Sequence, residues 1–294
     1  MAKIDSLPSV SSFVDRFNLA PRKAWGQNFL FDLQLASRIA LAGGSLEGQT
    51  VIEVGAGPGG LTRSILAANP ERVIVIERDP RCLDILQEIS SHYPGKLHII
   101  VGDALKQDFS SLSDKSVRII ANLPYQIATH LLLTWLRTEP WPPWWHSAVL
   151  MFQKEVADRI VATVSDKAYG RLSVLAGWLT EAAVLFCVSP DVFVPAPKVS
   201  SAIVRLVPRP SPSPCEREVL ENLTAAAFGQ RRKMLRSSLK PLMKNLALEG
   251  SIEGLLHRVD LDGSLRAEKL DVAGFVRLAN VLSEISGDRC GKVR

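Results

Sequence analysis

An amide, a proline and an aromatic ring stand together at Asn122, Leu123, Pro124 and Tyr125, directly after the apolar run of residues 117–121. Proline cannot donate to a sheet ladder, so a strand ends here and delivers the amide and the ring at its carboxyl end. Open α/β sheets bind ligands at that edge. Further reactive groups recur at the ends of earlier apolar runs. Gly55, Gly57 and Gly60 in "EVGAGPGGLT" match GxGxxG, which lets backbone approach a ligand closely ahead of a helix N-terminus. Glu77 closes the next run, roughly 20 residues on, where a carboxylate can accept both hydroxyls of a ribose. Asp103 closes the third, placed to accept from the exocyclic amine of an adenine; read alone, it is equally a helix cap.

The glycine turn and Glu77 suit a dinucleotide or S-adenosyl-L-methionine. The series Glu53, Gly55–Gly57, Glu77, Asp103 and Asn122 favours the second, because a cationic sulfonium tolerates a carboxylate-rich pocket better than a pyrophosphate does. The "NLPY" turn then has a chemical reading. An exocyclic adenine nitrogen is a poor nucleophile because its lone pair is delocalised into the ring. Acceptors on its N–H groups, here the Asn122 side-chain oxygen and the Leu123 carbonyl, make it more electron-rich as it attacks a sulfonium methyl. Pro124 fixes the turn and Tyr125 stacks on the base. A nicotinamide oxidoreductase would rest on the glycine motif alone, with no placed catalytic His or Lys. A cytosine C5-methyltransferase needs a nucleophilic Cys beside the cofactor, and Cys82, Cys187, Cys215 and Cys290 all lie outside the strand-end motifs.

These residues must be positioned by alternating elements. Apolar, β-rich runs at 50–57, 72–79, 97–103, 117–124 and 147–153 are separated by segments of helical spacing, which predicts a parallel sheet covered on both faces. Runs at 181–189 and 200–208 are joined by too little chain for a helical crossover, so the last strand is expected antiparallel. The fold class is α/β: a seven-stranded, doubly wound, Rossmann-like sheet plus a small all-helical C-terminal domain. The boundary is set at "VPRPSPSPCERE", giving domains 1–207 (with 1–45 an N-terminal lid and helix) and 208–294. Of the net charge of +5, the smaller domain supplies +4. Within it, "FGQRRKMLRSSLKPLMK" carries six basic groups and no acid. On a continuous helix Arg232, Arg236 and Lys240 share one face, a stripe suited to phosphates, with Leu235, Leu239 and Leu242 on an apolar face.

Several classes drop out. No apolar run reaches the ~18 residues of a membrane span. The N-terminus lacks the apolar core of a secretion signal, and Asp5 and Asp15 count against a transit peptide. The scattered cysteines fit reduced thiols rather than a disulfide framework or a zinc site. The aromatic loop "EPWPPWWHSA" at 139–148 is read as a proline-stiffened cover over the core.

The motifs "KAWGQNFLFD", "VIEVGAGPGGLT", "VIVIERD", "VGDAL", "NLPYQIAT", "FQKEVADRI", "VFVPAPKVSSAIVRL" and "AFGQRRKMLRSSL" span nearly the whole chain. Together they resemble the ribosomal RNA adenine N6,N6-dimethyltransferases, the kasugamycin-sensitivity methylase group. The resemblance implies dimethylation of two adjacent adenosines near the 3′ end of small-subunit ribosomal RNA, by a cytoplasmic monomer acting on a pre-ribosomal particle without a membrane. It implies cofactor contacts from Asn28, Leu30, Gly55, Gly57, Glu77, Asp103, Ala104 and Asn122. The adenine pocket carries over to Asn122, Leu123, Pro124 and Tyr125, with Phe193 as second stacking ring. RNA contacts are expected from Arg231, Arg232, Lys233, Arg236 and Lys240, and no metal is expected. Gly229 departs from the pattern, where the family commonly has Asn. Two readings compete: a large-subunit adenine methylase conferring antibiotic resistance, and a non-catalytic ribosome-assembly or transcription factor.

Overall fold

A computed structural model describes residues 5–245 and 252–290 of the chain. By contacts the chain divides into Met1–Ala157 with Glu181–Pro208, and Asp158–Thr180 with Arg209–Arg294. This departs from a single cut after residue 207, because residues 158–180 group with the helical unit.

In chain order the elements are α1 (Val10–Arg16), β1 (Phe29–Leu30), α2 (Leu33–Leu41), β2 (Thr50–Val54), α3 (Gly60–Ala67), β3 (Arg72–Glu77), α4 (Leu83–His92) and β4 (Leu97–Val101). Then follow β5 (Val117–Ala121), α5 (Tyr125–Leu136), β6 (Trp145–Gln153), α6 (Lys154–Val161), α7 (Arg171–Leu179), β7 (Thr180–Val188), β8 (Phe193–Val194) and β9 (Ser201–Pro208).

Seven strands form one sheet in the order β4-β3-β2-β5-β6-β9-β7. From β4 to β6 neighbours are parallel, and β9 runs antiparallel to β6. Every residue of β2 and β5 is buried, as expected for central parallel strands covered on both faces. The chain runs outward from β2 through β3 to β4, then returns to lay β5 on the other side of β2. That reversal opens a crevice at the carboxyl ends of β2 and β5.

The N-terminal segment is part of this unit's core. Leu7, Phe13, Leu19, Phe29 and Leu30 join the buried cluster with Val51, Val73 and Ile85. Buried Arg63 pairs with Asp5 and donates to the Pro8 carbonyl at 2.6 Å, tying the chain start to α3. A second, two-stranded ladder pairs β1 with β8, Phe29 opposite Val194 and Leu30 opposite Phe193. The aromatic loop covers core as expected: Trp144 stacks on Phe109 at 5.5 Å, and buried Trp135 meets both rings edge-on.

In the helical unit the remaining elements are α8 (Arg217–Gly229), α9 (Leu235–Ser238), α10 (Lys240–Asn245), α11 (Ile252–His257) and α12 (Val272–Cys290). Residues 158–180 belong here because Tyr169 meets the Phe228 ring at 5.8 Å and donates to the Leu270 carbonyl at 3.0 Å. Trp178 likewise donates to the Ser213 carbonyl at 2.8 Å. The expected continuous basic helix is not formed. α8 ends at Gly229, residues 230–234 turn, and Met234 makes an isolated bridge with Arg266 before α9 begins. Arg232, Arg236 and Lys240 therefore lie on a turn and two short helices, not on one helical face. No helix among the described residues is long and apolar enough to cross a membrane.

Candidate active site

The turn after β2 forms the floor of the crevice. Gly55 N–H donates to the Ile76 carbonyl at 2.8 Å and Gly102 N–H to the Glu77 carbonyl at 2.9 Å, so the strand ends stay in register beyond the ladder. Gly57 sits at φ 54°, a left-handed conformation that favours glycine, and its N–H donates to Glu77 Oε2 at 2.8 Å. Gly60, the first residue of α3, leaves no room for a side chain: a Cβ there would stand 2.6 Å from the Leu30 carbonyl oxygen. The glycine turn thus lets residues 28–30 cross directly over the start of α3.

These turns enclose a cleft of about 1150 Å³, including space open to solvent. Asn28, Leu30, Glu53, Gly55, Gly57, Glu77, Asp103 and Ala104 line it, as do Asn122 to Tyr125. Every residue expected to touch cofactor is therefore brought to one cavity.

Its acids differ sharply in environment. Glu53, on β2, is 1 % exposed and its Oε2 has no hydrogen-bond partner. Burial pushes its carboxyl up to about 8, and the charge of Glu77 adds to the rise. Burial also raises Glu77, opposed by backbone donors: Asp79 N–H reaches Oε1 at 2.7 Å, Gly57 N–H reaches Oε2 at 2.8 Å, and the Arg78 backbone adds to them. Each oxygen retains a lone pair for a ligand hydroxyl. Asp103 acts in part as a cap, accepting the Leu105 N–H at 3.0 Å on Oδ1, while Oδ2 lies 3.9 Å from Arg78. The cap reading and the ligand reading are compatible, because they use different oxygens.

Across the crevice α5 begins at Tyr125 immediately after the proline turn, and the Ala128 N–H closes onto the Pro124 carbonyl at 3.1 Å. The Asn122 side chain makes no hydrogen bond among the described residues, which leaves its amide oxygen available in the cleft. The Leu123 side chain is buried beneath it. Burial raises the Tyr125 phenol above its ordinary value, against the opposing effect of a hydrogen bond with Ser201.

The lid is pinned rather than loose. Trp25 lies between two guanidinium groups, Arg22 at 5.0 Å and Arg78 at 5.7 Å from its ring centroid. Gln27 donates to buried Asp79 at 2.9 Å, and Arg81 holds the same carboxylate while donating to the Ala20 carbonyl at 3.1 Å. Burial pushes Asp79 up, but the hydrogen bonds from Arg81 and Gln27 outweigh it and hold the group below its ordinary value. A Cβ at Gly26 would stand 3.7 Å from Pro124 and from Gln126, so the lid passes close to the "NLPY" turn. Trp25, Gln27, Arg78 and Gln126 all line the cleft without having been singled out. Each falls inside a motif already quoted, which was the available signal.

Phe193 does not line the cleft. It is 2 % exposed in the core, whereas Val194 beside it is 45 % exposed. Strand alternation explains the difference: pairing with β1 turns Phe193 inward and its neighbour outward. In the helical unit Arg231 is committed to Glu268 at 2.9 Å, while Arg232, Lys233, Arg236 and Lys240 are exposed.

The family described as "Ribosomal RNA adenine dimethylase" matches residues 18–284. The ribosomal RNA small subunit methyltransferase A of Xanthobacter autotrophicus is 57% identical, covering 97% of this chain and 97% of its own. The protein of the same name from Allorhizobium ampelinum is 54% identical, covering 96% and 100%. Among solved structures, a dimethyladenosine transferase from Plasmodium falciparum matches with TM-score 0.75 and 26% identity over 88% of this chain and 98% of its own. The 23S rRNA methyltransferase ErmE matches with TM-score 0.65 and 26% identity over 87% and 100%.

Proposed function

The chain belongs to the ribosomal RNA adenine dimethylase family, and we propose that it dimethylates N6 of two adjacent adenosines near the 3′ end of small-subunit ribosomal RNA, with S-adenosyl-L-methionine as methyl donor. The observation that carries this reading is the convergence of Glu77, Asp103 and Asn122, from three separate strand ends, on one cleft beside the proline turn. The donor set suits that cofactor: Glu77 retains acceptor capacity for ribose hydroxyls and Asp103 Oδ2 for an adenine amine. When bound, the cofactor supplies an electrophilic methyl group on a sulfonium.

The chain's own residues do the rest. The Asn122 amide oxygen accepts from the target N6–H and raises electron density on that nitrogen as it attacks. The Leu123 carbonyl, presented by the Pro124 turn, accepts the second N–H. Tyr125 offers its ring to the base, and the lid residues Asn28 and Leu30 shield the methyl donor from water. Formation of the new N–C bond leaves N6 as a cation, a far stronger acid than a neutral amine, which sheds its proton to solvent, so no buried base is required. Arg232, Lys233, Arg236 and Lys240 contact RNA phosphates. The substrate is a pre-ribosomal particle, and the enzyme acts as a cytoplasmic monomer.

The small-subunit reading is preferred over the large-subunit one because relatives at 54–57% identity bear the small-subunit name, against 26% for ErmE. The intact, unobstructed cleft argues against a purely non-catalytic factor. The test is mass mapping of adenosines after incubation of purified protein, labelled cofactor and small-subunit particles from a strain lacking the enzyme. Dimethylation of two adjacent adenosines near the 3′ end is expected; label in large-subunit RNA alone, or none, refutes the proposal.

A further inference from the structure

Tyr125 is the first residue of α5. A side chain fixed only at its backbone can hop between staggered χ1 rotamers, which swings the whole ring. Here the phenol oxygen reaches across to β9 and lies 2.6 Å from Ser201 Oγ, within the ordinary range for two hydroxyls. Ser201 is fully buried at 0 % exposure, where a hydroxyl without a partner is costly. Its backbone lies opposite Gln153 in the β6–β9 ladder, and the Lys154 N–H donates to the adjacent Ser200 carbonyl at 2.9 Å. The serine therefore stands on an interior strand and holds the far end of the side chain of a residue that lines the cleft.

We infer that Ser201 is a positioning residue for methyl transfer: its hydroxyl tethers the Tyr125 phenol and holds the ring in the one rotamer against which the target adenine stacks. The inference rests on the proposed function for the identity of the stacked base, but the tether itself does not. Two anchors then define the ring, Cα through the Pro124 turn and the phenol through β9. A base sliding onto the ring meets a surface already in place. Without the tether the ring samples orientations that carry the target nitrogen off the line of attack, which slows transfer more than it weakens RNA binding.

Three measurements test this. In single-turnover transfer at saturating cofactor and RNA, Ser201→Ala and Tyr125→Phe should each slow the reaction about 3- to 10-fold, the loss of one ordinary hydrogen bond. The double variant should be no slower than either alone, because both remove the same bond. Cofactor affinity should stay near wild type. With 2-aminopurine replacing the target adenosine, both variants should show altered quenching of the stacked base. The third measurement needs neither RNA nor turnover. The chain has only three tyrosines, so ring-labelled tyrosine gives resolvable NMR signals, and Ser201→Ala should perturb Tyr125 while leaving Tyr93 and Tyr169 unchanged. Unchanged Tyr125 signals, wild-type rates in Ser201→Ala, or multiplying effects in the double variant overturn the inference. A wild-type enzyme that transfers no methyl to ribosomal RNA refutes the proposed function instead, and the NMR result still decides the tether.

Discussion

Glu53→Gln is the perturbation that most directly tests the electrostatics of the cleft. The carboxyl is fully buried, with one oxygen lacking a partner, and burial moves it from 4.5 to about 8. The unfolded chain ionises this group freely above ~4.5, whereas the folded chain resists until about 8. Its contribution to folding is thus fully present below ~4.5 and is lost progressively as pH rises through about 8. At ~1.4 kcal/mol per pH unit, the interval caps the loss near ~5 kcal/mol. Glutamine fills the same volume and cannot titrate, so the variant lacks this pH dependence. Glu77 shifts in the same direction, but it is present in both proteins and largely cancels. In thermal melts of cofactor-free protein, the melting temperature of Glu53→Gln relative to wild type should climb by about 5–10 °C between pH 5 and pH 8.5. Melting curves that stay parallel across that range would mean the carboxyl is hydrated or paired, and the argument from its burial fails.

Three further outcomes follow from the site. Glu77→Gln should weaken S-adenosyl-L-methionine binding about 10-fold by calorimetry with the fold intact, since a charge-assisted hydrogen bond is worth ~1.5–3 kcal/mol; unchanged affinity would remove Glu77 from the cofactor site. Asn122→Ala should bind RNA yet transfer methyl ~30- to 1,000-fold more slowly at saturation, the effect of losing one acceptor in a dry site; a wild-type saturated rate would reduce the amide to a binding contact. Replacing Arg232, Lys233, Arg236 and Lys240 together by Ala should flatten the salt dependence of RNA affinity by a slope of roughly 3 without changing cofactor affinity; an unaltered slope would make them solvated surface. Arg231 is left out of that set because Glu268 already holds it.

The cleft was legible in the sequence because each of its groups is announced locally. A strand that ends in Pro124, Gly55 or Asp103 has its carboxyl end marked by a residue type, and parallel strands bring carboxyl ends to one edge. The misplacements concern residues whose position is set by distant partners. Phe193 turns inward because β8 pairs with Leu30, more than 160 positions earlier, and a two-residue strand carries no alternation from which to read its phase. The basic stripe reads as continuous because residues 232–240 hold neither proline nor glycine, yet α9 begins only at Leu235, after the bridge of Met234 with Arg266, and stops at Ser238 before α10 starts at Lys240. Residues 158–180 resemble any helical crossover between strands. Their allegiance is decided by where Tyr169 finds Phe228 and Leu270.

The same distinction separates reacting groups from the parts that hold them. Glu53, Glu77, Asp103 and Asn122 lie on, or within two residues of, strands of the main sheet, where shared ladders fix them. The lid has no such ladder beyond the two residues of β1, and its place depends on contacts at three points around the cleft. Trp25 and Gln27 attach it to the end of β3, Leu30 crosses α3 where Gly60 makes room, and Gly26 passes close to Pro124. Each attachment is small by itself, a cation–π contact or one hydrogen bond worth on the order of 1 kcal/mol. A segment held by several weak contacts can release and re-form as a unit, whereas a buried strand cannot without unfolding the sheet. The strands thus hold the reacting groups by ladders, and the lid is held by separate contacts around the cleft. Ser201 belongs with the strands: it gives Tyr125, at the start of a helix, a second anchor on the sheet.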